Sequence, residues 1–137
     1  MPDDGDMVLY IDQNTGKVTF EPQTGYGFGE IESSICLEEG DTKLGGPWYH
    51  LAVVVDSATG ESRMYIDGSL AGMGVIPDEP EVDIELTLNG FCVGGPFFAQ
   101  TQCNFQGMMD AFAISNEALS PEQFVLPVPE PTTVLML

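Results

Sequence analysis

The sequence contains very little positive charge. Of its 137 residues, 22 are Asp or Glu and only three are cationic, so the formal net charge is −19. The cations are Lys17, Lys43 and Arg63. Since nucleic acids and anionic membrane surfaces are bound chiefly through Lys and Arg, the composition argues against both as partners. The acidity fits either a solvated, self-repelling surface or oxygen ligands for a cation such as calcium.

Histidine, tryptophan and cysteine are also scarce, with one, one and three residues. His50 has no Cys or second His at ligand spacing, which argues against a zinc site and favours a structural role. The sequence has no nucleophile elbow of a serine hydrolase. Residues 1–20 have neither the basic start nor the unbroken apolar core of a signal peptide. Export therefore has to be inferred from other features.

What the sequence does contain is a series of short strand-like segments separated by turns. Its length suits one domain with a core and is too short for two. Residues 8–11 and 17–21 predict a hairpin, and residues 28–37 predict a further strand. In residues 81–89, polar and apolar side chains alternate at every position, as in a strand. Gly72 and Gly74 indicate a thin, closely packed or bulged strand. Only residues 120–124 indicate a helical turn, with Ser120 as cap and Pro121 first. The pattern predicts an all-β, antiparallel two-sheet sandwich.

Residues 48–68 carry the clearest pattern. Alternation predicts that Tyr49, Leu51, Val53 and Val55 share one face of a strand over residues 48–56, with Trp48 and His50 on the other. Residues 57–61 form a polar connector, and the next strand stops at the turn dipeptide Asp67-Gly68. We expect a hairpin near the middle of a sheet, with Trp48 in the core.

This segment resembles laminin G-like, concanavalin A-type modules of bacterial surface and secreted proteins. The shared features are Trp-x-His-hydrophobic-Ala at residues 48–52, a short turn with Gly, and Tyr-Ile-Asp-Gly at residues 65–68. Residues 104–119, followed by Ser-Pro-Glu, are similar to the family's closing strand. The resemblance implies a jelly-roll sandwich over residues 1–124. Because Met1 leads at once into an acidic loop, we expect a module that lacks a terminal strand.

The tail, residues 125–137, resembles the start of a PEP-CTERM sorting signal. Pro129-Glu130-Pro131 precedes an apolar run that stops after six residues, whereas about 20 are needed to cross a bilayer. We therefore expect an exported protein of a Gram-negative-type bacterium, at the cell surface or in an extracellular matrix. Membrane attachment would need a carboxy-terminal segment absent from this chain.

The resemblance implies a non-catalytic module that binds a glycan or an extracellular protein. Candidate contact residues lie in a Gly-Pro loop, where aromatic and amide side chains occur together: Phe97, Phe98, Gln100 and Gln102. A structural spacer domain in a longer surface protein is an alternative.

An enzymatic alternative, a glycoside hydrolase or lyase of the same fold, rests on Glu81, Asp83 and Glu85. These residues match the core of the Glu-x-Asp-x-Glu motif of retaining glycoside hydrolases. Alternation would place the three carboxylates on one face, as a nucleophile and an acid/base require. In those enzymes, however, the motif precedes the His-containing strand, whereas here His50 comes first. A solvent-facing polar row explains the same residues.

The resemblance also implies a metal ligand and a disulfide. The family's closing strand carries an Asp at the position of Asp110, which is either a calcium ligand or a structural residue that accepts hydrogen bonds from backbone amides. Cys92 and Cys103 end two strands that are paired in the family, which predicts a disulfide in the exported protein. Cys36 is then left unpaired, and we expect it to be buried.

Overall fold

The computed structural model describes residues 8–22, 30–38, 46–56, 58–75, 107–109 and 112–124. In these residues, six strands form two antiparallel three-stranded sheets. The first sheet has the order β1 (Val8–Ile11), β2 (Lys17–Glu21), β3 (Ile31–Cys36). The second has the order β4 (Leu51–Asp56), β5 (Glu61–Ile66), β6 (Ser69–Val75), and a 3-10 helix follows at Pro121–Gln123. The predicted all-β, two-sheet class is confirmed.

The β1–β2 hairpin has the predicted bounds, because its turn is fixed by local hydrogen bonds. Asp12 Oδ1 accepts the backbone N–H groups of Thr15, at 2.9 Å, and Asn14, at 2.8 Å. These bonds stabilise the charged form of Asp12 and so lower its pKa, and the bond from Thr15 has the largest effect. Gly16 adopts a φ of +70°, which residues with a Cβ rarely adopt. The turn thus aligns Ile11 with Val18 across the ladder.

The β2–β3 pairing is irregular, and this places Cys36 at the surface. The register shifts between Lys17 and Thr19. On β3, the buried Ser33 hydroxyl accepts the Val18 N–H at 2.9 Å and donates to the Ile35 carbonyl at 2.6 Å. Beyond Ser33 the alternation of buried and exposed residues ends, so that Ile35 and Cys36 are both exposed. The expectation that Cys36 is buried was wrong.

The central hairpin β4–β5 pairs Leu51 with Ile66 and Asp56 with Glu61. It agrees with the predicted alternation, since Tyr49, Leu51, Val53 and Val55 all pack against the core. The next turn, between β5 and β6, contains Asp67 at φ +52° and Gly68 at φ +78°. Positive φ at both central positions is the geometry of a type I′ hairpin turn.

The core lies between the two sheets, where β3 packs against β6. Its buried members come from both sheets: Val18, Phe20, Ile31, Met64, Ile66 and Ala71. Gly72 makes the contact close, because a Cβ at this position would lie 2.4 Å from Ile31 Cγ2. The β5–β6 register also shifts between Met64 and Tyr65. The prediction of a closely packed, bulged strand is confirmed.

Candidate functional site

The pairing of β4, β5 and β6 defines an outer face that points away from the core. Residues paired directly across a sheet project to the same side. Ser62 and Met64 face the core, whereas Arg63 and Tyr65 project to the opposite side. The outer face comprises the residues in register with these last two: Ala52, Val54, Asp56, Glu61, Arg63, Tyr65, Leu70, Met73 and Val75.

The β6 edge of the outer face is an apolar strip of three side chains. Leu70, Met73 and Val75 are 55%, 60% and 63% exposed. They pair with Tyr65, Arg63 and Glu61 of β5, so they form one continuous row. An exposed apolar row on a sheet face is the kind of surface that proteins use to bind partners.

Trp48, in the chain that leads into β4, is a further exposed large apolar side chain. It lies three residues before β4, which begins at Leu51 rather than at residue 48, and it is 46% exposed. The expectation of a core Trp48 was wrong, because the alternation was extended into a segment that precedes the strand. Trp is the residue type most enriched among the residues that dominate binding energy at interfaces, together with Tyr and Arg.

The chain before β4 is fixed by a pair of hydrogen bonds at the adjoining turn. The His50 N–H donates to Asp67 Oδ1 at 2.8 Å, and the Asp67 N–H donates to the His50 carbonyl at 2.9 Å. The second bond joins the two backbones one position beyond the end of the β4–β5 ladder, and alternation along the chain then puts His50 on the same side as Ala52. Trp48 is therefore only two residues from a firmly held backbone position.

Each of the two cationic side chains in the described residues lies beside a glutamate. Arg63 Nε lies 2.8 Å from Glu61 Oε1, in an ion pair whose geometry is too bent for a hydrogen bond. Lys17 pairs with Glu32 on the first sheet, and this hydrogen bond raises the pKa of Lys17. Within the described ranges, both cationic side chains are thus already engaged with a glutamate.

A short turn from the carboxy-terminal part of the chain covers one end of the outer face. We call residues 120–124 the closing turn; it contains the 3-10 helix and begins, as predicted, with Ser120 as its cap and Pro121 first. The Phe124 ring lies edge-on to Tyr65 at 5.3 Å between centroids and 5.9 Å from His50. Tyr65 is only 6% exposed beneath it.

His50 leaves a nitrogen without a partner under this aromatic cover. Its Nδ1 is shielded from solvent and makes no hydrogen bond with the residues that the structure describes. Shielded polar groups in proteins are nearly always hydrogen-bonded, because the lost hydration is otherwise uncompensated.

The site residues predicted from the sequence all lie outside the described residues, and their roles stay predictions. This applies to the loop residues Phe97, Phe98, Gln100 and Gln102, to the carboxylates Glu81, Asp83 and Glu85, to Asp110, and to Cys92 and Cys103. In the described part of the chain, no three His, Cys, Asp or Glu residues are grouped as a metal site. None of the helices described there has the length and apolarity to cross a membrane.

Comparison with known proteins identifies the family. Residues 1–124 match the laminin G family model Laminin_G_3, described as the Concanavalin A-like lectin/glucanases superfamily. Because the match covers most of the chain, the protein belongs to this superfamily. No curated protein sequence matches it.

Among solved structures, an S-layer domain-containing protein from Clostridium thermocellum is similar, with 20% sequence identity and a TM-score of 0.45. The similarity covers 89% of this chain and 63% of that one. Laminin G-like domains are commonly carbohydrate- or protein-binding modules, and the superfamily also includes glycosidases.

Proposed function

We propose that this concanavalin A-like domain is an exported, non-catalytic recognition module, which binds a glycan or a protein partner at the cell surface or in an extracellular matrix. The family supports a binding role. Export is supported by the resemblance of the tail to a sorting signal. The loop with Phe97 and Phe98 and a calcium ion at Asp110 belong to the same proposal.

Two observations carry the proposal: the exposure of Trp48, in the chain that leads into β4, and the exposed apolar strip of Leu70, Met73 and Val75 on β6 of the same sheet. A tryptophan that is nearly half exposed loses the favourable burial available to it in the core. A ligand that covers it recovers this free energy, and the rigid sheet keeps the entropic cost of ordering the site small.

The charge of the protein narrows the class of partner. A net charge of −19 repels acidic polymers over distances of about the Debye length, roughly 8 Å at physiological ionic strength. The two described cations are both engaged in ion pairs. A neutral glycan, or a protein with a neutral or basic surface, therefore fits better than an acidic polysaccharide.

Trp48→Ala and Leu9→Ala form a matched pair of variants that tests the proposal. Leu9 is 47% exposed and lies on the first sheet, so its removal changes a similarly exposed apolar side chain elsewhere. Binding would be measured on a glycan array and by pull-down from extracellular matrix, followed by calorimetry with the ligand found. Loss of a central Trp costs about 2 kcal/mol or more, which is roughly 30-fold in affinity.

We expect that large loss for Trp48→Ala and a change within about twofold for Leu9→Ala, since isolated surface residues contribute little. Met73→Glu, which puts a charge into the apolar strip, should weaken binding in the same direction. Equal affinities for the Trp48 and Leu9 variants, together with unchanged binding by Met73→Glu, would show that neither Trp48 nor the apolar strip is part of the binding surface.

A further inference from the structure

The closing turn is held together by its own hydrogen bonds. The Gln123 N–H donates to the Ser120 carbonyl, the Phe124 N–H donates to the Pro121 carbonyl, and the Gln123 side chain accepts the Ser120 N–H at 2.9 Å. None of these bonds ends on the sheet. The Phe124 ring packs against the sheet at His50 and Tyr65. The turn can therefore move away without breaking its own structure.

The surface beneath the ring has the features of a binding site. Tyr65 supplies an aromatic side chain at 6% exposure, and His50 supplies a shielded Nδ1 that lacks a hydrogen-bond partner in the described residues. The Phe124 ring packs against the apolar part of this surface. It cannot form a hydrogen bond with His50 Nδ1, because a phenyl ring carries no hydrogen-bonding group.

A saccharide ring matches both parts of this surface. Its C–H face packs on an aromatic side chain, and its hydroxyl groups can donate to or accept from an imidazole nitrogen. The saccharide should be neutral, since Arg63 is already paired with Glu61 and the chain carries a charge of −19.

We propose that Phe124 is a displaceable cover over a saccharide subsite formed by His50 and Tyr65, and that the closing turn opens when a neutral sugar ring takes its place. This rests on the proposed function, and it adds a residue-level site and an autoinhibitory contact to it. Because only open molecules bind, the apparent affinity is the intrinsic affinity multiplied by the open fraction. A turn that is closed nine-tenths of the time weakens binding about tenfold.

The test compares Phe124→Ala with Glu117→Ala. Glu117 is exposed and lies three residues before the closing turn. Its backbone N–H, which alanine keeps, donates to the Ser115 hydroxyl. The probes are neutral hexasaccharides of glucose, galactose and mannose, with a hexagalacturonate as the acidic control, and binding is followed by calorimetry. We expect Phe124→Ala to bind a neutral probe about tenfold more tightly than wild type and Glu117→Ala to bind as wild type does. His50→Ala in the Phe124→Ala background should remove the gain.

A second measurement uses the wild-type protein and needs no variant to fold. Proton NMR contacts between the Phe124 and Tyr65 rings should be present in the free protein and lost when a neutral hexasaccharide saturates it. Contacts that persist in the bound protein would overturn the cover, as would Phe124→Ala affinity equal to or weaker than wild type.

The two proposals fail in different ways. Suppose that wild type binds a hexasaccharide, that Trp48→Ala does not, and that Phe124→Ala binds no more tightly than wild type. The proposed recognition module is then supported, and the proposal that Phe124 is a cover is wrong. If neither wild type nor Phe124→Ala binds any hexasaccharide, the cover is overturned, and the recognition module is then judged by its protein partners in the pull-down.

Discussion

Replacing Gly72 by alanine should destabilise the domain through a steric clash between the two sheets. The added Cβ would lie 2.4 Å from Ile31 Cγ2 and 3.0 Å from the Glu32 carbonyl oxygen. The backbone of Gly72 does not have a positive φ, so alanine is not strained by its own conformation. The carbonyl contact is relieved by a movement of a few tenths of an ångström, but the methyl contact is far below any normal separation.

The size of the effect follows from how little Ile31 can move. Ile31 is 2% exposed and is packed among core residues of both sheets, so relief requires a new rotamer or a shift of β6 relative to β3. Overpacking of this kind costs about 1–3 kcal/mol. For a chain of 137 residues the unfolding entropy is about 0.3 kcal/mol per kelvin, so a cost of about 2 kcal/mol lowers the melting temperature by about 7 °C.

A double-mutant cycle separates this clash from other effects. Ile31→Ala alone should cost about 2–5 kcal/mol, because it leaves a cavity in the core. With that space open, Gly72→Ala should be neutral or stabilising by up to about 1 kcal/mol, since alanine restricts the unfolded chain more than glycine does. The free energies of unfolding of the four proteins, measured by urea titration, should therefore show coupling of about 2 kcal/mol or more.

Gly68→Ala is the control for the cycle. A Cβ at Gly68 meets no atom within 4 Å, and the cost arises from its φ of +78°, about 1–2 kcal/mol. Ile31→Ala should not relieve this cost. If Gly72→Ala is equally destabilising with and without Ile31, the close packing of β6 on β3 is refuted as the cause.

Three further outcomes are expected. Asp67→Ala should cost about 1–2 kcal/mol in unfolding titrations. It removes the acceptor of the His50 N–H and puts alanine, which tolerates the left-handed conformation less well than Asp or Asn, at φ +52°. Asp67→Asn should cost less than about 0.5 kcal/mol. The pKa of Asp12 is lowered from 3.8 in the folded protein, so its charged form stabilises the fold above pH 3.8, and this stabilisation is lost as the pH falls through the lowered pKa. The difference in melting temperature between wild type and Asp12→Ala should therefore shrink over that acidic range. A difference that does not depend on pH would contradict this. Calcium at 100 times its dissociation constant should stabilise the domain by about 2.7 kcal/mol relative to chelator at fixed ionic strength, and Asp110→Asn should abolish the rise; equal melting curves for wild type in calcium and in chelator would remove Asp110 as a ligand.

The hairpins could be predicted from the sequence because their causes are local. The turn at residues 12–16 is fixed by Asp12 and Gly16, and the turn after β5 is fixed by Asp67 and Gly68, all within a few residues of the strands they join. The face of β4 that packs on the core followed from alternation alone. The outward position of Cys36 did not, because it depends on the Ser33 hydroxyl and on an irregular register with β2.

The outer face could be recognised only after the strands were paired. Leu70, Met73 and Val75 lie in a segment whose alternation is interrupted by a register shift, and the sequence gives no sign that they line up with Tyr65, Arg63 and Glu61. A tryptophan next to a central strand predicted a core position for Trp48. An exposed binding residue at the same place would give the same sequence pattern. What distinguishes the two is the start of β4 at Leu51, which leaves Trp48 outside the strand. Trp48 is joined to the strand through His50, whose backbone is hydrogen-bonded to Asp67 of the β5–β6 turn. If that turn positions the binding surface, Asp67→Ala should weaken ligand binding as well as folding, whereas Asp67→Asn should preserve both.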